Sequence, residues 1–265
     1  VNSFAPIIVN PAGGGTTGLT KADAGLWRLT GGNTYTGPTN VNGGTLQVNG
    51  NQTSANGNVT VASGGTLAGI GTVGGAISVS SSGNIAPGIS VGTLTVNNNV
   101  TLTSGANYLW EYSFSGTISG AALNSGGSSG TGGQDNLTIT GGTNAFFGDS
   151  GAVYRIIETG TPIFGMASDP SSPRYSFALA TGVGSSQVNG TAGGLDLSPN
   201  LSSAPVLAAY VADGGLVWIE SSGSGVYLNV APVPEPVSVG LIAAASLGFG
   251  GLIRRKVRRS KTLSA

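Results

Sequence analysis

The chain has 265 residues, of which 48 are glycine and only 8% are charged. Its ten basic and ten acidic residues cancel, but unevenly: four bases and all ten acids precede Val237, a net of −6, while six bases crowd between Arg254 and Lys261. An acidic body without a basic stripe excludes phosphate-backbone recognition, so no nucleic-acid partner is expected; the absence of histidine and cysteine removes the commonest general base, the commonest metal ligand and every disulfide.

Residues 1–24 show no clear periodicity and contain Gly13-Gly14-Gly15-Thr16-Thr17, which reads as an irregular leading segment or a partial rung. Val1 is not an initiator and the first positive charge is Lys21, so no export leader is visible and further upstream sequence is expected. Residues 25–115 change character. Leu26-Trp27-Arg28-Leu29-Thr30 alternates like a half-buried strand, and Gly31-Gly32-Asn33 follows as a turn. The segment from Thr39 to Leu46, ending Gly43-Gly44-Thr45-Leu46, aligns with the segment from Thr60 to Leu67, ending Gly64-Gly65-Thr66-Leu67, at an offset of 21 residues. Val91-Gly92-Thr93-Leu94 is a degenerate third copy. A period near 20 with short strands and paired glycines predicts a β-solenoid. The glycine pairs are expected in corner conformations closed to residues with a Cβ. Leu46, Leu67 and Leu94 are expected to stack in one inward column, with Val41, Val48 and Val61 as further candidates for it. No rung buries its apolar row alone, so stability must come from neighbours above and below.

Residues 116–134, with 11 Gly or Ser, read as a loop between rungs. Residues 135–230 read as further β-rich rungs, with strands at 152–158, 175–180, 216–220 and 225–230, a surface loop at 168–174 and a short helix within 199–210. The last segment, 231–265, has three parts. Pro234, Glu235 and Pro236 precede 17 uncharged, mostly apolar residues at 237–253, and Arg254, Arg255, Lys256, Arg258 and Arg259 begin a basic tail at 254–265. Seventeen helical residues rise about 26 Å, the lower limit for a hydrocarbon core of roughly 30 Å. A cationic cluster directly after such a span holds that end on the cytoplasmic side.

No catalytic residue, metal site or cofactor is expected. A glycosidase- or lyase-type site on such a scaffold needs clustered carboxylates. The acids Asp23, Glu111, Asp135, Asp149, Glu158, Asp169, Asp196, Asp213, Glu220 and Glu235 come no closer in sequence than Asp213 and Glu220. Asp149 with Asp169, and Asp196 with Asp213, approach the spacing of neighbouring rungs. Gly132-Gly133-Gln134-Asp135-Asn136-Leu137 is half of a calcium-binding nonapeptide and reads by default as a turn into a strand. Trp110 and Tyr112 alternate on one strand; inter-rung packing is preferred over a sugar-stacking platform. Six Asn-x-Ser/Thr triplets, beginning at Asn51, Asn58, Asn99, Asn136, Asn189 and Asn200, read as turns and stacked polar ladders.

Two stretches resemble known families. Val233-Pro234-Glu235-Pro236, the short Gly/Ala-rich span and Arg254-Arg255-Lys256 resemble the PEP-CTERM sorting signal of Gram-negative bacteria. That resemblance implies export, temporary tethering in the inner membrane, processing near the Pro-Glu-Pro by an exosortase-type enzyme, and release to the cell surface or extracellular matrix. The run from Leu29 to Gly37, Leu29-Thr30-Gly31-Gly32-Asn33-Thr34-Tyr35-Thr36-Gly37, followed by Val41-Asn42-Gly43-Gly44-Thr45-Leu46, resembles the autotransporter-associated β-strand repeat. It implies a right-handed parallel β-helix displayed outside the cell. No outer-membrane barrel is visible, so self-translocation is not expected. The fold class expected is therefore all-β, a right-handed parallel β-helix followed by a single C-terminal transmembrane helix. The function expected is an exported, non-enzymatic, adhesin-like envelope or matrix component with extracellular polysaccharide as a partner. The alternative is a carbohydrate-binding or polysaccharide-degrading enzyme on the same scaffold, and lateral or end-to-end association through exposed strand edges is a third expectation.

Overall fold

The computed structural model describes residues 2–118, 131–141, 145–148, 151–159, 161–164, 175–182, 185–188, 191–192, 195–196, 199–212, 215–222 and 225–231. Short strands in this range wind through three sheets, and successive passes pair in parallel. Each pass places one strand on each wall. Val59–Val61 lies in the second sheet, Gly65–Gly69 in the first and Thr72–Val73 in the third. The next pass repeats the order with Ile77–Val79, Asn84–Pro87 and Thr93–Val96. This is the mostly parallel β architecture of a solenoid. The first sheet already begins at Asn2–Phe4, which pairs with Leu26–Leu29, and the second at Leu19–Lys21, which pairs with Thr39–Val41. The leading segment is therefore a partial rung.

The core is a set of inward columns. Leu46 pairs with Leu67, Leu67 with Ile85, Ile85 with Tyr108 and Tyr108 with Tyr154, and all five are buried. On the second sheet Val41, Val61, Val79 and Leu102 form the matching column. On the third sheet Val73, Val96 and Ile139 do the same. Leu94 is not in the Leu46–Leu67 column: it belongs to the third sheet and stacks on Leu137, while Ile85 takes the place below Leu67. The Gly92-Thr93-Leu94 copy follows a turn at Pro87–Gly92, so it sits one wall further round than the sequence it imitates. Val41 and Val61 stack on the second sheet, and Val48 lies under Leu29 in the first. The inferred column holds for Leu46 and Leu67 and fails for Leu94, Val41, Val48 and Val61, which belong to other columns.

Only one glycine of each pair adopts a left-handed conformation, Gly44 at φ 58° and Gly64 at φ 78°. Gly65 is required for space instead, since a Cβ there would run into the Val41 carbonyl. Gly64 starts a corner column. Its N–H donates to the Ser82 carbonyl at 3.1 Å, that of Ser82 to Gly105 at 2.7 Å, and that of Gly105 to Gly151 at 2.9 Å. All four residues have positive φ, including the non-glycine Ser82 at 59°.

The expected loop at 116–134 is narrower at both ends. Asn107–Ile118 runs on into it, and Thr131–Gln134 returns antiparallel beside Tyr112 to Ser115. This insertion is why Tyr108 and its partner Tyr154 are 46 residues apart. All four strands expected after residue 150 are present, as Val153–Glu158, Tyr175–Thr181, Leu216–Ser222 and Gly225–Ala231. They are not all rungs: Tyr175–Thr181 pairs antiparallel with Gly225–Ala231, which pairs antiparallel with Leu216–Ser222. A helix, Pro205–Ala212, packs at this end with Leu207 buried. Proline suits its first turn because the missing N–H is not needed there. The C-terminal end of the stack thus carries a helix and antiparallel strands rather than further parallel passes.

Candidate functional site

The sorting residues Pro234, Glu235 and Pro236, the apolar span 237–253 and Arg254, Arg255, Lys256, Arg258 and Arg259 lie outside the described residues. Among the described residues, no helix is long and apolar enough to cross a membrane. Asp149, Asp169, Asp213, Glu235 and Asn189 also lie outside them, and with them at least one member of each acid pair suggested by the sequence.

Three other carboxylates, Asp135, Glu111 and Glu158, each bond groups on neighbouring passes that lie far away in sequence. Asp135 is buried at the point where the inserted hairpin rejoins the stack. One carboxylate oxygen accepts the Gly92 N–H at 2.9 Å and the other the Glu111 N–H at 2.9 Å. Its own N–H donates to the Glu111 carbonyl at 2.8 Å, and Trp110 Nε1 donates to its carbonyl at 2.7 Å. Burial pushes the Asp135 carboxyl up to about 8; the two N–H groups oppose the rise and nearby Glu111 adds to it. Glu158 Oε2 accepts the Tyr112 hydroxyl at 3.0 Å and the Val206 N–H, in the first turn of the helix, at 2.9 Å. Burial, then the Glu158 charge, raises the Tyr112 phenol. Glu111 Oε1 accepts from Ser90 at 2.8 Å and from Thr159 at 3.2 Å.

Each carboxylate here is held by hydrogen bonds that tie one pass to the next. That is a fastening arrangement rather than an acid–base pair facing a cleft. Among the described residues no group of three His, Cys, Asp or Glu could hold a metal ion. The Gly132–Leu137 stretch is a turn into a strand, with Asp135 aimed at backbone N–H groups. Trp110 and Tyr112 are core residues: their rings lie 5.6 Å apart, and Trp110 meets Phe177 at 6.2 Å. They offer no exposed platform for a sugar. Among the Asn-x-Ser/Thr triplets, Asn51 accepts from Thr53 N at 2.9 Å and Asn200 from Ser202 N at 3.0 Å, but both asparagines begin strands, Asn51–Gln52 and Asn200–Ser203, rather than backbone turns.

The outer walls carry two kinds of polar ladder. On the third sheet part of the ladder bonds to itself. Asn136 Nδ2 donates to the Thr138 and Thr181 hydroxyls, each at 3.0 Å, and Asn97 bridges Thr53 at 3.2 Å and Thr140 at 2.6 Å. On the second sheet Thr20, Asn40, Thr60, Ser78 and Thr101 stack in register between inward neighbours. None of these five side chains bonds another described residue. The sequence pointed to ladders in general but had no signal separating self-bonded from open ones.

A wall of parallel passes with neutral polar ladders outside is a repeat architecture, and the comparisons give that repeat a class. Residues 19–48 match the Passenger-associated-transport-repeat family, covering four strands between Leu19 and Val48, two in each of the first two sheets. The chain is 37% identical over 102 residues, 38% of its length, to an "Extracellular serine protease" of Serratia marcescens. It is 58% identical over 36 residues, 14% of its length, to the "Adhesin BmaC autotransporter" of Brucella suis. The aligned parts span 9% and 1% of those two relatives. Together they support an autotransporter-like repeat protein.

Proposed function

We propose that the chain is an exported, adhesin-like component of the cell surface or extracellular matrix, built as a right-handed parallel β-helix and acting without catalysis. The observation that carries this reading is the stack itself. It has a Passenger-associated-transport-repeat at residues 19–48, stacked parallel passes and neutral polar ladders outside, while its described carboxylate cluster is occupied in holding passes together. Its role is geometric: a rod with little surface charge presents extended area to polymer or cell. Both relatives point outside the cell by name, and the adhesin, unlike the relative named a serine protease, also supports a role without catalysis.

Delivery would run through residues 231–265. Pro234, Glu235 and Pro236 are the processing motif for an exosortase-type enzyme, 237–253 the transient inner-membrane span, and Arg254, Arg255, Lys256, Arg258 and Arg259 the cytoplasmic stop. The test is the intact mass of the tagged protein after separating membrane, envelope and medium. Material outside the cell, shortened by the chain beyond the Pro-Glu-Pro region, is the expected result. An uncut protein held in the inner membrane would overturn the sorting route.

A further inference from the structure

Resting on the inner-membrane tether proposed above, we infer that the C-terminal end of the stack docks on the lipid surface while the chain is tethered. The contact is the outer face of the helix Pro205–Ala212 with the adjoining Leu216 and Trp218. The helix reads Pro-Val-Leu-Ala-Ala-Tyr-Val-Ala, with no charged side chain and a single hydroxyl. Leu207 is buried, and Val206 and Tyr210 pack against the core. That leaves Pro205, Ala208, Ala209, Val211 and Ala212 exposed. A helix lying on a fold surrounded by water turns charged and polar residues outward, opposite its core stripe. Here the exposed face is as apolar as the buried one.

Two further observations choose the occupant. The first is where the chain leaves. The strand Gly225–Ala231 ends beside this patch: Leu216 pairs with Ala231, and the Tyr210 hydroxyl donates to the Ala231 carbonyl at 2.7 Å. Only Pro232-Val233-Pro234-Glu235-Pro236 separate Ala231 from the uncharged run at 237–253. Five residues reach at most about 18 Å, so a span inserted in the bilayer keeps this patch beside the membrane surface. The exposed apolar residues Phe4, Ile7, Val9 and Trp27 belong instead to the first passes, at the opposite end of the stack. The second observation is the order of side chains along Leu216–Ser222, where Leu216, Trp218 and Glu220 share the outward face. At the exit Leu216 is 54% exposed; Trp218 follows, half-buried. The Glu220 carboxylate comes about 13 Å further along the strand, where Asn229 donates to it at 3.3 Å. Apolar, then aromatic, then charged is the profile of a membrane boundary, at which tryptophan and tyrosine sit at headgroup level. No cation lies in the helix or in this strand, and Asp213 follows the helix in sequence, so apolar burial rather than an acidic headgroup supplies the contact. Tethering makes docking intramolecular, so a weak contact is enough. A span of 17 residues, at the lower limit for crossing, gains a second foothold from it.

The test uses the full chain reconstituted in phosphatidylcholine vesicles, with and without phosphatidylglycerol. The chain has no cysteine, so Ala208→Cys, Leu216→Cys and the distant control Ile89→Cys each carry one fluorophore. Lipid spin-labelled near its headgroup should quench the fluorophores at 208 and 216 and spare the one at 89, with or without phosphatidylglycerol. In the Ala208→Cys chain, adding Val211→Ser and Leu216→Ser should lower the ratio of docked to undocked ends by about tenfold. Thermal midpoints check that each variant folds. Vesicles that carry the protein through flotation, yet leave 208 and 216 as unquenched as 89, would overturn the docking alone. Failure to float with the vesicles would overturn the membrane tether, and the docking with it. Quenching that requires phosphatidylglycerol, or that the two serines leave unchanged, would overturn the apolar contact. Protection of 208 and 216 that vanishes as protein is diluted in lipid would assign the patch to a second copy and overturn it too.

Discussion

Asp135 shows how far one residue can couple stacking to solution conditions. Its carboxylate joins the turn at Gly92, the strand at Glu111 and its own strand in a buried position. With a folded value of about 8 against 3.8 in the open chain, the folded protein holds this proton more tightly. The stability this contributes is complete below about pH 4, is lost as pH rises, and is gone above about 8. Between pH 5 and 8 no other side chain titrates in the ordinary way, because the chain has neither histidine nor cysteine. Unfolding free energies from urea titrations across pH 5 to 8 should therefore fall, by as much as about 1.4 kcal/mol per pH unit at the steepest. Asp135→Asn should flatten that slope while costing about 1–3 kcal/mol at pH 5, because its amide NH₂ faces one of the two N–H donors. Parallel slopes in the two proteins would refute the assignment. Nothing in the sequence marked Asp135 for this part. Its partners Gly92 and Glu111 are 43 and 24 residues away, and the fragment around it looked like half a calcium loop.

At the scale of the element, the corner from Gly64 through Ser82 and Gly105 to Gly151 decides how each pass turns from the second sheet into the first. Four successive residues there hold positive φ, and Ser82 alone does so with a Cβ, at a cost of roughly 1–2 kcal/mol. Ser82→Gly should therefore raise stability by about 1 kcal/mol. Gly64→Ala should lower it by a similar amount, through backbone strain alone, since a Cβ at Gly64 meets nothing within 4 Å. Paired thermal melts check both signs; a destabilised Ser82→Gly would mean that the Ser82 side chain matters more than its backbone. The column also explains which elements were legible. Gly64-Gly65-Thr66-Leu67 repeats Gly43-Gly44-Thr45-Leu46 because both occupy the same corner and the same wall. Leu94 misled because a Gly-Thr-Leu string fits any wall, and only the pairing of Thr93–Val96 with Asn136–Ile139 reveals which one. The strands at 153–158 and 216–222 were readable from alternation, but their parallel or antiparallel sense was not, because alternation is the same in both.

Across the whole molecule, the ends of the stack differ in construction and the middle depends on both neighbours. At the N-terminal end Trp27 lies in register with buried Leu46 yet is itself exposed, and the Lys21 ammonium sits 5.7 Å from its ring. At the other end Glu158 and the helix Pro205–Ala212 close the stack. In a solenoid each pass is stabilised mainly by the two it touches, so damage should spread to neighbours before it spreads further. Leu67 lies inside its column, between Leu46 and Ile85. Leu67→Ala removes its contacts upward and downward at once, and should cost about 2–5 kcal/mol. Phe4→Ser, at an exposed edge strand, should cost under about 0.5 kcal/mol. Native-state hydrogen exchange separates a nearest-neighbour stack from a single cooperative block. In Leu67→Ala, the amides of Gly44–Val48 and Asn84–Pro87 should lose protection together with Gly65–Gly69, while those of Val153–Glu158 keep more of theirs. An equal loss in all four strands would mean that the described stack unfolds as one unit. The rod would then owe its stiffness to global cooperativity rather than to contacts between adjacent passes.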